Sequence, residues 1–247
     1  MKTVFINCSP KKRFSASSYF TALQRLFTGG EKVTETLRTP ADHERVLGQF
    51  KDADAAVFVL PLYVDGIPSH VLRFLTKAEA FCRENGRKFS VYCVANNGFI
   101  EGRQNEPLMR HFEHFCERAG LEWGGGVGIG GGVMLNVTRI LFAVDVALLL
   151  LNVVLSLING KGPFPRDPWI SFAENATFLL YFNLGVLFFL ARMGAAIRKR
   201  ARFGTKYTRI LIPSFVFILF ADIFFVIVSV LEGGIFRGWL SAKKPDE

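Results

Sequence analysis

Two stretches of 22 residues, Val137–Ile158 (VTRILFAVDVALLLLNVVLSLI) and Ile210–Leu231 (ILIPSFVFILFADIFFVIVSVL), are apolar almost from end to end. A third, Ala176–Ala191, is apolar too and extends to Gly194 past Arg192. About 20 apolar residues in a helix cross the hydrocarbon core of a bilayer. The four successive leucines at 148–151 leave no polar side of the kind an amphipathic helix keeps. Three transmembrane helices are therefore expected, at about 137–158, 176–194 and 210–231. Asp145 and Asp222 fall inside them, and an intramembrane carboxylate is costly unless it is paired or functional.

These runs are confined to one part of the chain. Residues 1–135 carry 17 Lys/Arg and 14 Asp/Glu, a net of +3, with ordinary polar interruptions. Residues 136–247 carry 13 and 7, a net of +6, and their cations cluster between apolar runs. The expected boundary lies near Met134, giving a soluble domain, 1–135, and a membrane domain, 136–247. Arg192, Arg198, Lys199, Arg200, Arg202, Lys206 and Arg209 share one connector, the pattern of a cytoplasmic loop rather than of a nucleic-acid surface. If the soluble domain is cytoplasmic, three spans return that connector to the cytoplasm, whereas the last two alone would strand its seven cations outside. Cys8, Cys82, Cys93 and Cys116 are scattered, without a CxxC, and read as buried reduced thiols. The apolar run after Lys2 is too short for a secretion signal.

In the soluble part the hydrophobic period changes back and forth. Thr3–Cys8 reads as a strand and Ser17–Phe27 as a helix. Lys32–Leu37 is an edge-like strand, followed by a short helix at Asp42–Phe50. Ala55–Leu62 (AAVFVLPL) and Phe89–Ala95 (FSVYCVA) are continuously apolar, as parallel strands buried on both faces are. Pro68–Cys82 and Glu106–Ala119 have helical spacing, and Glu122–Ile129 is a last, glycine-rich strand. Strictly alternating strands and helices imply α/β architecture, a parallel sheet with helices on both faces.

Such sheets bind ligands beyond the carboxyl ends of their strands. The first of those ends leads into Asn7-Cys8-Ser9-Pro10-Lys11-Lys12-Arg13-Phe14-Ser15-Ala16-Ser17-Ser18. Unpaired N–H groups and the helix dipole favour an anion there, and the serines add donors. The alternative is a plain N-cap with spare serines. The third end gives Pro61-Leu62-Tyr63-Val64-Asp65-Gly66-Ile67-Pro68, a proline-fixed loop with an aromatic face for a planar ring. The fourth gives Asn96-Asn97-Gly98, a turn former offering amide hydrogens. Three such loops together point to a mononucleotide site.

With these loops residues 1–135 resemble the flavodoxin-like NAD(P)H-dependent FMN reductase family. Cys8-Ser9-Pro10-Lys11 with Ser15-Ala16-Ser17-Ser18 is similar to that family's first loop, with Cys8 in place of a glycine. Pro61, Tyr63, Pro68, Leu72 (one residue late) and Phe74 are similar to its second. The resemblance implies a five-stranded parallel sheet in the order 2-1-3-4-5. It implies FMN as cofactor and NAD(P)H as co-substrate. It places Ser9, Pro10, Lys11, Ser15, Ser17 and Ser18 around the phosphate. Pro61, Leu62, Tyr63 and Val64 would lie along the ribityl chain and ring, and Asn96, Asn97 and Gly98 at the isoalloxazine. It implies no catalytic side chain, because the flavin carries the hydride chemistry, and it implies a homodimer. Soluble members close with an amphipathic helix where Val137–Ile158 stands, so this run has a second reading.

Three weaker patterns are set apart. Gly126-Val127-Gly128-Ile129-Gly130-Gly131 fits GxGxxG but is followed by an apolar span, so a loop near the ligand is expected rather than a dinucleotide fingerprint. His111 and His114 lack a third ligand and read as a solvated face, with no metal expected. Asn136 and Asn175 begin glycosylation sequons, which arise readily by accident. The expected activity is a membrane-anchored oxidoreductase in the cell membrane. It would pass electrons to a quinone or another small-molecule or membrane acceptor, with membrane lipid and not nucleic acid as its surroundings. A non-enzymatic sensor or assembly protein, or a small transporter, is the alternative.

Overall fold

The structure is a computed structural model that describes residues 1–12, 14–63, 66–160, 162–163 and 166–231. Its first five strands form at the apolar runs: β1 (Lys2–Asn7), β2 (Glu31–Thr36), β3 (Ala55–Pro61), β4 (Ser90–Asn96) and β5 (Glu122–Gly130). Between them lie α1 (Ala16–Phe27), α2 (His43–Phe50), α3 (Ser69–Glu84) and α4 (Glu106–Ala119). The continuously apolar β3 and β4 are central and buried, as helices on both faces require. Phe50, Phe58, Phe74 and Phe112 pack ring against ring beneath the sheet. The four cysteines are buried and free.

The sheet has six strands, not the five expected. Its order is β2-β1-β3-β4-β5-β6, every pair parallel. The first five keep the flavodoxin-like order 2-1-3-4-5. β6 (Gly204–Arg209) comes from the basic connector. Cations there obscure the strand in the sequence, but an edge strand tolerates them and is protected by them.

The glycine-rich run is β5 itself, not a loop. A Cβ on Gly126 would stand 2.7 Å from the Cys93 carbonyl and from Met109 Sδ, and one on Gly128 would stand 2.7 Å from the Tyr207 ring. Neighbours press on the strand from both sides, so glycine is needed for packing and no phosphate loop results.

After β5 the chain turns at Gly131 (φ +70°) into α5 (Gly132–Ile158), returns along α6 (Arg166–Arg198) and enters β6. α5 and α6 pack together, with Phe142 against Phe172. The second half of α6 is the crossover helix that a parallel connection needs. Its buried stripe, Asn183, Val186, Leu190, Met193, Gly194 and Ile197, recurs at helical spacing. That half runs alongside α1 in the same direction: Tyr19 Oη donates to Asn183 Oδ1, and Gly194 and Arg198 meet Phe27. Sheet, α5 and α6 thus belong to one compact unit, Met1–Leu211. The second unit begins at Ile212 and contains α7 (Ser214–Leu231). α7 starts after Pro213, four residues later than the apolar run suggests. α5, α6 and α7 are each long and apolar enough to cross a membrane.

Candidate functional site

β1, β3 and β4 all end at the same edge of the sheet, and their loops enclose one cleft of about 130 Å³. It brings together Ser9, Lys11, Ser15, Ser17, Pro61, Leu62, Tyr63, Asn96, Asn97 and Gly98. Pro10 and Ser18 do not line it, and Val64 lies outside the described residues.

The first loop is held from within and from both sides. Asn7 Oδ1 accepts from the Ser9 N–H at 3.1 Å, Ser9 Oγ from the Lys11 N–H at 3.3 Å, and Arg38 Nε donates to the Ser9 carbonyl at 3.2 Å. His70 Nε2 donates to the Cys8 carbonyl at 3.0 Å. Burial pushes the Cys8 thiol well above its ordinary value, so it stays a neutral, inert group. Ser15 caps α1, its Oγ accepting from the Ser18 N–H at 3.1 Å. The Ala16 and Ser17 N–H groups, in the first turn, have no intrahelical acceptor.

The hydroxyl protons sort the serines. A hydroxyl that accepts a bond still has its proton to give. Ser9, Ser15 and Ser17 each accept one, Ser17 from Asn96 Nδ2 at 3.3 Å, and keep a donor for the cleft. Ser18 Oγ donates to the Ser15 carbonyl at 2.7 Å and has none left. The Ser9, Ser15 and Ser17 hydroxyls, the Ala16 and Ser17 N–H groups and the Lys11 ammonium thus belong to residues that line one cleft.

Two side-chain amide oxygens of lining residues are buried without a partner. Asn97 Nδ2 donates to the Glu101 carbonyl at 3.1 Å, which fixes its Oδ1 as a buried acceptor without a partner. Asn136 Nδ2 donates to the Phe14 carbonyl at 2.9 Å, and its buried Oδ1 is likewise unpaired. A buried acceptor without a donor is costly; both residues line the cleft, but neither Oδ1 is exposed in it. Burial holds the Tyr63 phenol above its ordinary value, leaving it neutral at the rim.

Phe14, Ala16, Val133 and Asn136 also line the cleft. The last two belong to the first five residues of α5, which Gly132 brings against β4: a Cβ there would stand 2.9 Å from Asn96 Cβ. The only sequence signal at Asn136 was a sequon, which points elsewhere.

The seam between α5 and α6 holds two further clefts, of about 330 and 290 Å³, both lined by Asp145 and Asn175. Arg139 does not pair with Asp145; it lies over the Tyr19 ring at 5.2 Å. Among the described residues no group of three His, Cys, Asp or Glu suits a metal ion, and His114 pairs with Glu117 at 3.1 Å on an exposed face.

No protein-family model and no curated protein sequence matches the chain. Similar solved structures include an NADPH-quinone reductase from P. pentosaceus, 18% identical over 53% of this chain and 86% of that one, with a TM-score of 0.45. An NAD(P)H:quinone oxidoreductase from Methanothermobacter marburgensis is 14% identical over 56% and 92%, with a TM-score of 0.44. An FMN-dependent NADH-azoreductase from Bacillus anthracis, in complex with FMN, is 16% identical over 53% and 88%, with a TM-score of 0.38. At such identities and scores these likenesses say nothing of activity, and the flavodoxin-like order of the sheet stands on its own strand pairing.

Proposed function

We propose that the chain is a membrane-anchored, FMN-dependent NAD(P)H oxidoreductase that passes electrons to a quinone or another small or membrane acceptor. One observation carries this reading: a capped helix N-terminus with spare hydroxyl donors stands in one cleft at the sheet's carboxyl edge. The donor set fits a phosphate, and Asn97 and Asn136 line the same cleft. Ser9, Lys11, Ser15 and Ser17 would hold the phosphate, and Pro61, Leu62, Tyr63, Asn97 and Gly98 would position the rest and exclude water. When bound, FMN supplies the hydride and electron chemistry that no side chain here offers. The membrane helices would keep the sheet on the cytoplasmic side, where the basic connector also lies.

A second reading follows from the size of the cleft. About 130 Å³ is below the roughly 300–1,000 Å³ of most small-molecule pockets. A non-enzymatic domain that binds a small phosphorylated ligand fits that volume. Absorbance of the protein purified in detergent separates the two. Flavin bands that bleach on adding NADH or NADPH are expected. A colourless preparation that stays so after FMN is supplied overturns the first reading and selects the second.

A further inference from the structure

The direction of α6 fixes where the hairpin stands. Asn183 meets Tyr19 at the start of α1, and Arg198 meets Phe27 at its end. Residues 166–182 therefore continue past the beginning of α1, beyond the carboxyl edge of the sheet. α5 leaves from the same edge, its Val133 and Asn136 forming a wall of the cleft. Beyond that foot much of the exposed surface is apolar, with Leu141, Leu150 and Leu151 exposed on α5 and Phe178 and Leu180 on α6, while Asp145, Asp167 and Glu174 are the acidic residues there. Residues 140–158 make a helix roughly 28 Å long at 1.5 Å per residue, close to the ~30 Å of a hydrocarbon core.

The cleft loops share that edge. Among the described residues of 1–131, the large exposed aromatic side chains are Phe14 (69% exposed), Phe99 (58%) and Tyr63 (43%). All three sit on the loops that follow β1, β4 and β3, and none at the opposite end. Exposed Lys11 and Lys12 lie beside Phe14. Aromatic rings with lysines at their flank are the side chains that settle into a membrane–water interface.

We infer that the cleft-bearing edge of the sheet seats on the bilayer, with Phe14 and Phe99 entering the headgroup layer, so that the cleft opens towards the membrane rather than the bulk solution. The occupant of this surface is the lipid that receives the hairpin. An acceptor dissolved in the bilayer would reach the cleft without crossing water. The inference rests on the membrane reading above but not on flavin binding.

Three variants in lipid nanodiscs, each with one added cysteine, test it: Phe99→Cys on the loop after β4, Leu150→Cys on the hairpin, and Leu26→Cys, exposed at the far end of α1. The native thiols are buried, so an environment-sensitive fluorophore labels the new ones. Nitroxide-bearing lipids should quench the probe at 99 several-fold more than the probe at 26, and quench the one at 150 strongly. Phe14→Cys replaces Phe99→Cys if the latter elutes aggregated on gel filtration. Quenching at 150 with the probe at 99 behaving like that at 26 overturns the seating and leaves the membrane reading intact. No quenching at 150 overturns both.

Discussion

A serine in the cleft loop is defined less by its position than by where its proton points. Ser15, Ser17 and Ser18 are equivalent in the sequence, yet only the first two keep a donor for the cleft. Replacing Ser15 and Ser17 together with alanine should weaken FMN binding at least tenfold, since one hydrogen bond to a charged group contributes on the order of 1.5 kcal/mol or more. It should also cost about 1 kcal/mol of helix stability through the lost cap. Ser18→Ala should leave affinity close to wild type, and flavin-fluorescence titration reads the difference; equal losses in both variants would sink the assignment. His43 makes a prediction of another kind. It is buried edge-on against Phe74 with Nδ1 unpaired. Burial, helped by the Lys77 ammonium, holds it below its ordinary 6.5. The unfolded chain then binds the proton that the folded chain refuses, so stability is full above pH 6.5 and falls as the pH drops below it. His43→Phe should flatten the urea midpoint between pH 7.5 and 5.5 relative to wild type.

At the scale of elements, strands 1 to 5 were legible because an apolar run between turn signals has one physical meaning inside an α/β layer. β6 was not, since a short edge strand with Lys206 and Arg209 has the composition of a basic loop. Its cations are spoken for in part: Arg209 pairs with Glu101 at 2.6 Å, and the neighbouring Arg200 pairs with Asp54 at 2.7 Å. Neither pair is buried, so each contributes little; the strand is held mainly by its ladder on β5 and by Tyr207 seated over Gly128. The crossover role of α6 was not legible either, for a related reason. Lipid and a protein core select the same apolar side chains, and only the stripe from Asn183 to Ile197 reveals that its second half faces protein. Most of the cleft was legible because its loops carry turn residues and serines. Asn136 and Val133 were not, because their role depends on a helix starting beside β4. Gly128→Val would force a side chain into Tyr207 and the Gly102 carbonyl, 2.7 and 2.9 Å from the new Cβ. Overpacking of this kind costs roughly 1–3 kcal/mol. Limited trypsinolysis should then cut after Lys199, Arg200 or Arg202 several-fold faster; an unchanged rate would mean that β6 does not depend on that contact.

For the whole molecule, the sixth strand decides more than the edge of a sheet. Because β5 and β6 pair in one sheet, the chain that leaves through α5 must come back through α6 to the side it left. Crossing by α6 without α5, which charge counting alone could only disfavour, is incompatible with that pairing. The two helices either cross together or not at all. The polar turn between them, with Asn159 and Gly160, is then the part that reaches the opposite face. A membrane-impermeant maleimide can locate it, since the native thiols are buried and both Asn159 and Lys206 are exposed. In sealed, oriented membranes Asn159→Cys and Lys206→Cys should react from opposite sides. Reaction of both from the sheet's side would show that the hairpin dips into the bilayer and returns. The cleft would still sit at the hairpin's foot, but the cations of the connector would no longer have a membrane potential or leaflet asymmetry to answer to.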